Sequence, residues 1–311
     1  MTQRSKALIA LITTVLLWGL SFISIKISMA VFGPMTLGAL RFSMALILLF
    51  FIKKKLAPEE KADRKDLPLL IGAGLAGVTL YFYFENNGVA LIPASEASII
   101  VGSVPVLVMI IGILEEKIIN ARKRKAGIYV EKMSLLNKIV LPGTGAIISL
   151  AGVALVAGVS FALRGTIKGY LFMFGACISW IFYLYIIRSL FKRHSQIFVI
   201  FWQSIVGSLG FLPFAILESV KVPWQMPGLY VWGNVIFLGI CCSAAAYWCY
   251  AYAMQGLGVR VASLFINFIP VVSAIGGFFI LGERLEPLQW LGAVLVLAGV
   301  YIVMFTQKAS A

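Results

Sequence analysis

Ten stretches of this chain are long, apolar and nearly uncharged: 7–31, 34–52, 67–88, 95–114, 139–160, 166–187, 196–217, 228–254, 259–281 and 286–305. At about 1.5 Å of rise per residue, a helix of about 20 residues crosses the hydrocarbon core of a bilayer. The chain is 61% hydrophobic and 12% charged, and a soluble domain has no interior that could hide so much apolar surface. In lipid the backbone must satisfy its own hydrogen bonds, which selects helices. Turns such as Phe32-Gly33-Pro34 and Gly256-Leu257-Gly258 separate the stretches. The expectation is an all-α membrane protein with ten transmembrane helices. The first stretch follows Arg4 and Lys6 as a signal peptide would, but it continues too far and reads as an uncleaved spanning helix.

Charge sets the orientation. With the N-terminus in the cytoplasm, twenty of the 26 Lys and Arg residues fall in cytoplasmic segments. Only Arg164, Lys168, Lys221 and Arg284 fall on the other side, and Lys26 and Arg41 lie within helices. That asymmetry predicts a multi-pass protein of the inner (plasma) membrane with both termini cytoplasmic. The net charge of +14 is therefore an orientation signal and implies no nucleic-acid partner. The basic segment 115–138 reads as a cytoplasmic loop, or a surface helix on anionic headgroups, with a regulatory role as a further option.

The same residues exclude several classes of chemistry. There is one histidine, His194, and the four cysteines (Cys177, Cys241, Cys242, Cys249) lie in apolar stretches without C-x-x-C spacing. No Ser-His-Asp set, metal cluster or P-loop motif is present. We expect no enzyme, no cofactor and no metal. A channel would want a continuous polar stripe, and a sensor would want a soluble signalling domain.

The chain also repeats itself. Ala97-Ser98 precedes Pro105 as Ala262-Ser263 precedes Pro270, and Trp18, Lys26 and Arg41 are spaced as Trp180, Arg188 and Gln203. Gly145-Ala146, Leu150-Ala151-Gly152-Val153 and Val156 match Gly292-Ala293, Leu297-Ala298-Gly299-Val300 and Val303. Two repeats of five helices, 1–160 and 161–311, must enter the membrane in opposite senses, because five is odd. Inverted repeats suit alternating access around a midplane site.

Four stretches carry a family resemblance: Leu17-Trp18-Gly19-Leu20-Ser21-Phe22; Ala94-Ser95-Glu96-Ala97-Ser98 leading to Pro105; Ala262-Ser263 leading to Ile269-Pro270-Val271; and Leu281-Gly282-Glu283-Arg284-Leu285 followed by Trp290-Leu291-Gly292. The chain resembles the drug/metabolite transporter superfamily, EamA type. The resemblance covers all but 115–138, where Glu115-Glu116-Lys117 replaces the family's Gly-Glu-Arg turn. It implies export or exchange of small solutes such as amino acids, nucleosides or drugs. The expected function is secondary transport of small metabolites, amino acids or related amphipathic solutes, with a lipid or lipid-linked-substrate flippase as the alternative. The expected partners are the solute, the bilayer and, as a candidate coupling ion, the proton. Exchange and simple facilitation remain open, as do monomer and homodimer.

Helical spacing and depth select candidate site residues. Ser98, Gly102 and Pro105 share one stripe, as do Ser263, Asn267 and Pro270. Trp18, Ser21, Gly102, Ser103, Trp180, Tyr183 and Asn267 fall near mid-depth and form the expected substrate site. Asn267 has a second reading, as an amide that only joins two helices.

Gating is expected at Arg41, Tyr81 and Glu85, with the helix-kinking Pro105 and Pro270. Lys26, Arg41, Glu85 and Glu96 lie in the outer half of the membrane with no net charge, which suggests ion pairs across an entrance. Lys26 and Glu96 also suit simple reach to the headgroups. Glu85 has two further readings, as a proton carrier or as a partner for a solute ammonium. No such charge cluster is expected at the inner end. There Gln203 stands for Arg41 and Tyr250 for Glu85, and Tyr247, Trp248 and Tyr252 make it aromatic, so an inner gate would close by packing.

Overall fold

The computed structural model describes residues 2–89, 91, 100–101, 104–125, 140–156, 166–221, 226–281 and 287–308. Every regular element among them is helical. In chain order these are α1 (Gln3–Met29), α2 (Pro34–Leu56), α3 (Leu67–Gly88), α4 (Val104–Lys125), α5 (Leu141–Val156), α6 (Ile167–Leu190), α7 (Gln196–Lys221), α8 (Leu229–Leu257), α9 (Val261–Ile280) and α10 (Pro287–Lys308). Among the described residues, α1, α2, α3, α6, α7, α8 and α9 are long and apolar enough to cross a membrane, and shorter apolar helices cover Leu141–Leu155 and Pro287–Ile302. Residues 115–125, expected in a loop, continue α4 without a break. Glu, Lys, Ile, Asn and Arg are tolerated in a helix, and neither Gly nor Pro interrupts the run. Residues 126–138 lie outside the described set.

The bundle is apolar on its outer face as well as in its core. Along α6, Ile167, Leu171, Phe174, Ile178 and Phe182 form an exposed stripe at helical spacing. Meanwhile Thr14, Arg41, Ser179, Gln203, Ser243 and Asn267 are buried. Apolar residues outward and polar residues inward is the arrangement lipid demands. The protein is a multi-pass membrane protein.

Helix neighbours come in matching pairs. α1 packs on α8 and α6 on α3; α2 packs on α8 and α7 on α3; α2 meets α7 and α5 meets α10. Small residues permit the closest approaches. A Cβ on Gly152 would meet the Gly292 carbonyl and Val296 backbone nitrogen, and one on Gly299 would meet the Gly145 carbonyl and Ser149 backbone nitrogen. This α5–α10 contact is reciprocal: each helix offers the same glycine seam to the other. A Cβ on Gly74 would meet Val206 and the Gln203 carbonyl, while one on Gly239 would meet Met44 and the Arg41 carbonyl.

Polar links close both ends of the bundle. At the end that carries 57–66 and 191–195, His194 lies between two carboxylates, with Nδ1 3.0 Å from Glu60 Oε1 and Nε2 2.9 Å from Asp66 Oδ2. Arg193 pairs with Asp66, and the Ser195 backbone N–H donates to Glu60. At the other end the Glu218 carboxylate of α7 accepts from the backbone N–H groups of Met35 and Thr36, capping α2 where its dipole favours negative charge. A Cβ at Gly33 would collide with that carboxylate. Gly258 makes the turn from α8 to α9 at φ 86°, a left-handed conformation that favours glycine.

The α5–α10 seam generates a prediction. Gly152→Val or Gly299→Val should lower the melting temperature in detergent by the equivalent of about 1–3 kcal/mol, the usual cost of overpacking. Gly233→Ala, where a Cβ meets nothing within 4 Å, should leave it unchanged or slightly higher.

Candidate functional site: a central aromatic cluster with buried charge

Two helices leave the α-helical ladder at their centres: α3 is π-helical over Leu75–Leu80 and α8 over Phe237–Ala245. A π stretch shifts the hydrogen-bond register and offers carbonyls to side chains nearby. Donors from packed neighbours meet them. The Trp18 indole N–H donates to the Cys242 carbonyl at 3.0 Å, and Ser179 to that of Ala76 at 2.7 Å. Thr14 donates to the Ala246 carbonyl at 3.2 Å, and the Tyr247 hydroxyl to that of Gly77 at 3.3 Å. These bonds position the rings of the site.

The rings come from α1, α3, α6 and α8. Trp18 meets Trp180 edge to face at 5.9 Å between centroids, Tyr247 at 5.3 Å and Tyr250 at 5.2 Å. Trp180 lies 4.9 Å from Tyr183, 5.0 Å from Tyr81 and 5.9 Å from Tyr250. Four of the expected residues therefore gather: Trp18, Trp180, Tyr183 and Ser21, the last bonded to the Trp18 carbonyl. Such a cluster presents apolar faces with indole and phenol donors at the edges, which suits an amphipathic solute.

Buried charge stands beside the rings. Arg41 is 4% exposed; its Nε donates to Ser243 at 2.7 Å, and its guanidinium lies 4.9 Å from the Phe82 ring centroid. Glu85 accepts from the Tyr81 hydroxyl at 2.7 Å. Among the described contacts Arg41 and Glu85 form no ion pair. In this conformation the expected entrance pairing is replaced by Arg41–Ser243 and Tyr81–Glu85. The geometry explains it: Ser243 faces Arg41 from α8, and Tyr81 is one turn from Glu85 on the same helix.

A further group of charges lies at one end of the bundle. A cavity of about 690 Å³, lined by Gly112, Glu115, Arg188, Lys192, Met254 and Gln255 among others, opens at the end that carries 191–195. Arg188 reaches from α6 to Glu115 on α4 at 3.1 Å. That end holds charge across its mouth as well as rings. The sequence reading placed these residues in separate loops and did not bring them together. Both side chains are close to half exposed, so the pair contributes little to stability.

The remaining expected residues divide. Gly102 and Ser103 lie outside the described residues, as do Ser98, Glu96 and the side chain of Lys26. Asn267 donates to Ser149 of α5 at 2.9 Å, which joins two helices. It sits where α9 breaks into a turn at Ile266–Asn267, close before Pro270, whose ring cannot sit against a regular preceding turn. Pro105 is buried in α4. Sequence reasoning missed Ser243 as the partner of Arg41, and placed Tyr247 and Tyr250 at one end instead of in the cluster. Their spacing on α8, i, i+4 and i+7, was the available signal. Among the described residues no group of three or more His, Cys, Asp or Glu could hold a metal ion.

The profile of the EamA-like transporter family matches residues 5–120 and again 167–305. The chain belongs to the EamA-like transporter family. An uncharacterized transporter of Archaeoglobus fulgidus is 29% identical over 96% of this chain and 99% of its own. A probable terminal-alkyne amino-acid exporter of Streptantibioticus cattleyicolor is 23% identical over 96% of this chain and 93% of its own. A solved crystal structure aligns over 99% of both chains at a TM-score of 0.74 and 18% identity, which shows a shared fold.

Two outcomes follow from the charges of this transporter-family site. Arg41→Lys should lower the initial transport rate at least about tenfold, because an ammonium cannot reproduce the guanidinium contacts with both Ser243 and Phe82; tracer flux in proteoliposomes measures it. Glu115→Gln should shift thermal stability by less than about 1 kcal/mol, read as an essentially unchanged melting curve.

Proposed function

We propose that this chain is a secondary transporter of small amphipathic solutes, amino acids or related metabolites, working by alternating access. In this reading ten transmembrane helices form two inverted five-helix repeats, 1–160 and 161–311, around the aromatic cluster. The protein sits in the plasma membrane with both termini cytoplasmic. It binds its solute through Trp18, Ser21, Gly102, Ser103, Trp180, Tyr183 and Asn267. Arg41, Tyr81, Glu85, Pro105 and Pro270 move with the gate.

One observation carries the reading: side chains at matching positions of the two halves meet at the centre, and the halves contact each other reciprocally. Trp18 touches Trp180. The Gly74–Gln203 contact has its counterpart in Gly239–Arg41, and the Gly152 and Gly299 contacts exchange places. Two similar bundles that pack in this way have two related arrangements of nearly equal energy, as alternating access requires. The double match to one family profile supports the repeat. The likeness to a probable terminal-alkyne amino-acid exporter of Streptantibioticus cattleyicolor supports an amino-acid-like cargo.

Counterflow in proteoliposomes, run against amino acids, nucleosides and cationic drugs, tests the function. The expected result is saturable counterflow of at least one amphipathic amino acid. No counterflow of any solute, together with dithionite-detected flipping of fluorescent lipid, overturns the transporter reading in favour of the flippase. Repeating the assay under a pH gradient assigns proton coupling if the rate follows the gradient, and exchange or facilitation if it does not. Cysteines introduced singly at Asp63 and Lys123 should label only from the cytoplasm; periplasmic labelling overturns the topology.

A further inference from the structure

We infer that the side-chain polar groups of Trp180, Tyr183, Gln203 and Tyr250 form the subsite that receives a carboxylate or carbonyl oxygen of the transported solute. The inference rests on the transport reading and specifies its chemistry. Trp180 Nε1, the Tyr183 hydroxyl, both amide atoms of Gln203 and the Tyr250 hydroxyl are buried without a hydrogen-bond partner. Their residues are 5%, 0%, 0% and 1% exposed. Buried polar atoms in a native membrane bundle are paired almost without exception, because hydrocarbon offers no substitute for water. Here several orphans belong to neighbouring side chains. The Tyr183 hydroxyl faces Gln203 and the Tyr250 hydroxyl faces the Trp180 indole, yet neither pair reaches hydrogen-bonding geometry.

The two halves show why these groups are left over. Trp18 satisfies its indole N–H on the Cys242 carbonyl. At the matching carbonyl of the other half, Gly77, the Tyr247 hydroxyl already occupies the position, so Trp180 has no carbonyl to take its indole N–H. Arg41 bonds Ser243. Where Gln203 stands for Arg41, the residue matching Ser243 is Val78, which offers no hydroxyl. The asymmetry releases polar groups on one side of the cluster only.

The inventory selects the ligand atom. An indole N–H only donates, so an acceptor must meet Trp180. The two phenols and Gln203 Nε2 can donate to the same oxygen or to its geminal partner, while Gln203 Oε1 only accepts and takes its hydrogen from the solute or from Tyr183. The faces of Trp18 and Tyr247 accommodate an apolar remainder. Tyr250 lies one helical turn from Met254, a lining residue of the 690 Å³ cavity. A solute in that cavity reaches the subsite once the Tyr250 and Trp180 rings part.

Isothermal titration of the purified full-length protein with L-phenylalanine, 3-phenylpropionate and phenethylamine tests this. The first two carry a carboxylate and the third lacks it. The two carboxylates should bind at least about tenfold tighter than the amine, as a site of buried donors discriminates against a ligand that leaves them unpaired. Trp180→Phe and Gln203→Leu should each bring that ratio towards one, in protein that remains monodisperse on size exclusion. Tyr183→Phe and Tyr250→Phe give the same trend as conservative controls. Three results overturn the inference: the amine binds as tightly as the carboxylates, none of the three binds, or the variants keep the wild-type ratio and melt higher. The last outcome would mean that the orphaned atoms only burden the core. Wild-type counterflow of a solute without a carboxylate or carbonyl would sustain the transport reading while removing this one.

Discussion

Hydrocarbon supplies no hydrogen bonds, and the whole arrangement answers to that constraint. Where α3 and α8 turn π-helical, their carbonyls take bonds from Ser179, Tyr247 and Trp18, and Thr14 bonds the Ala246 carbonyl just beyond. Each bond ties one helix to another at the centre of the bundle, so the rings that define the site are held by the backbone's own requirement. A π stretch at this place serves two purposes at once. It bends the ladder of a long helix, and it makes the bend a docking point for a neighbouring side chain.

Around that centre, attraction between helices depends on close approach, since lipid tails are as apolar as leucine. The glycine seams of α5 with α10, α3 with α7 and α8 with α2 bring backbones together. The α5–α10 contact is reciprocal, each helix setting a glycine against the backbone of the other. Membership of the EamA-like transporter family accords with this construction.

Charge is concentrated at three depths. Arg41 and Glu85 stand within the bundle, each satisfied by a neutral neighbour, Ser243 or Tyr81. The Glu60–His194–Asp66–Arg193 network ties two loops at one end, and Glu218 caps α2 at the other.

The sequence by itself determined the class of fold, because apolar length and the sparseness of charge leave lipid as the only suitable solvent. It also singled out Trp18 and Trp180 by their equal spacing to later residues, and Arg41 and Glu85 as charge placed in hydrocarbon, which is costly. Which groups meet was decided by tertiary structure. Arg41 and Glu85 read as a pair on charge alone, yet three-dimensional packing gave Arg41 a serine from α8 and a phenylalanine face from α3. Asn267 read either as a pocket residue or as an amide joining two helices, and packing directs its donor to Ser149 on α5. Glu115 and Arg188 read as unrelated loop charges until α4 extended to Lys125. Linear spacing records the face and depth of a side chain within its own helix. It carries no rotation of one helix against another, and that rotation decides which donor meets which acceptor.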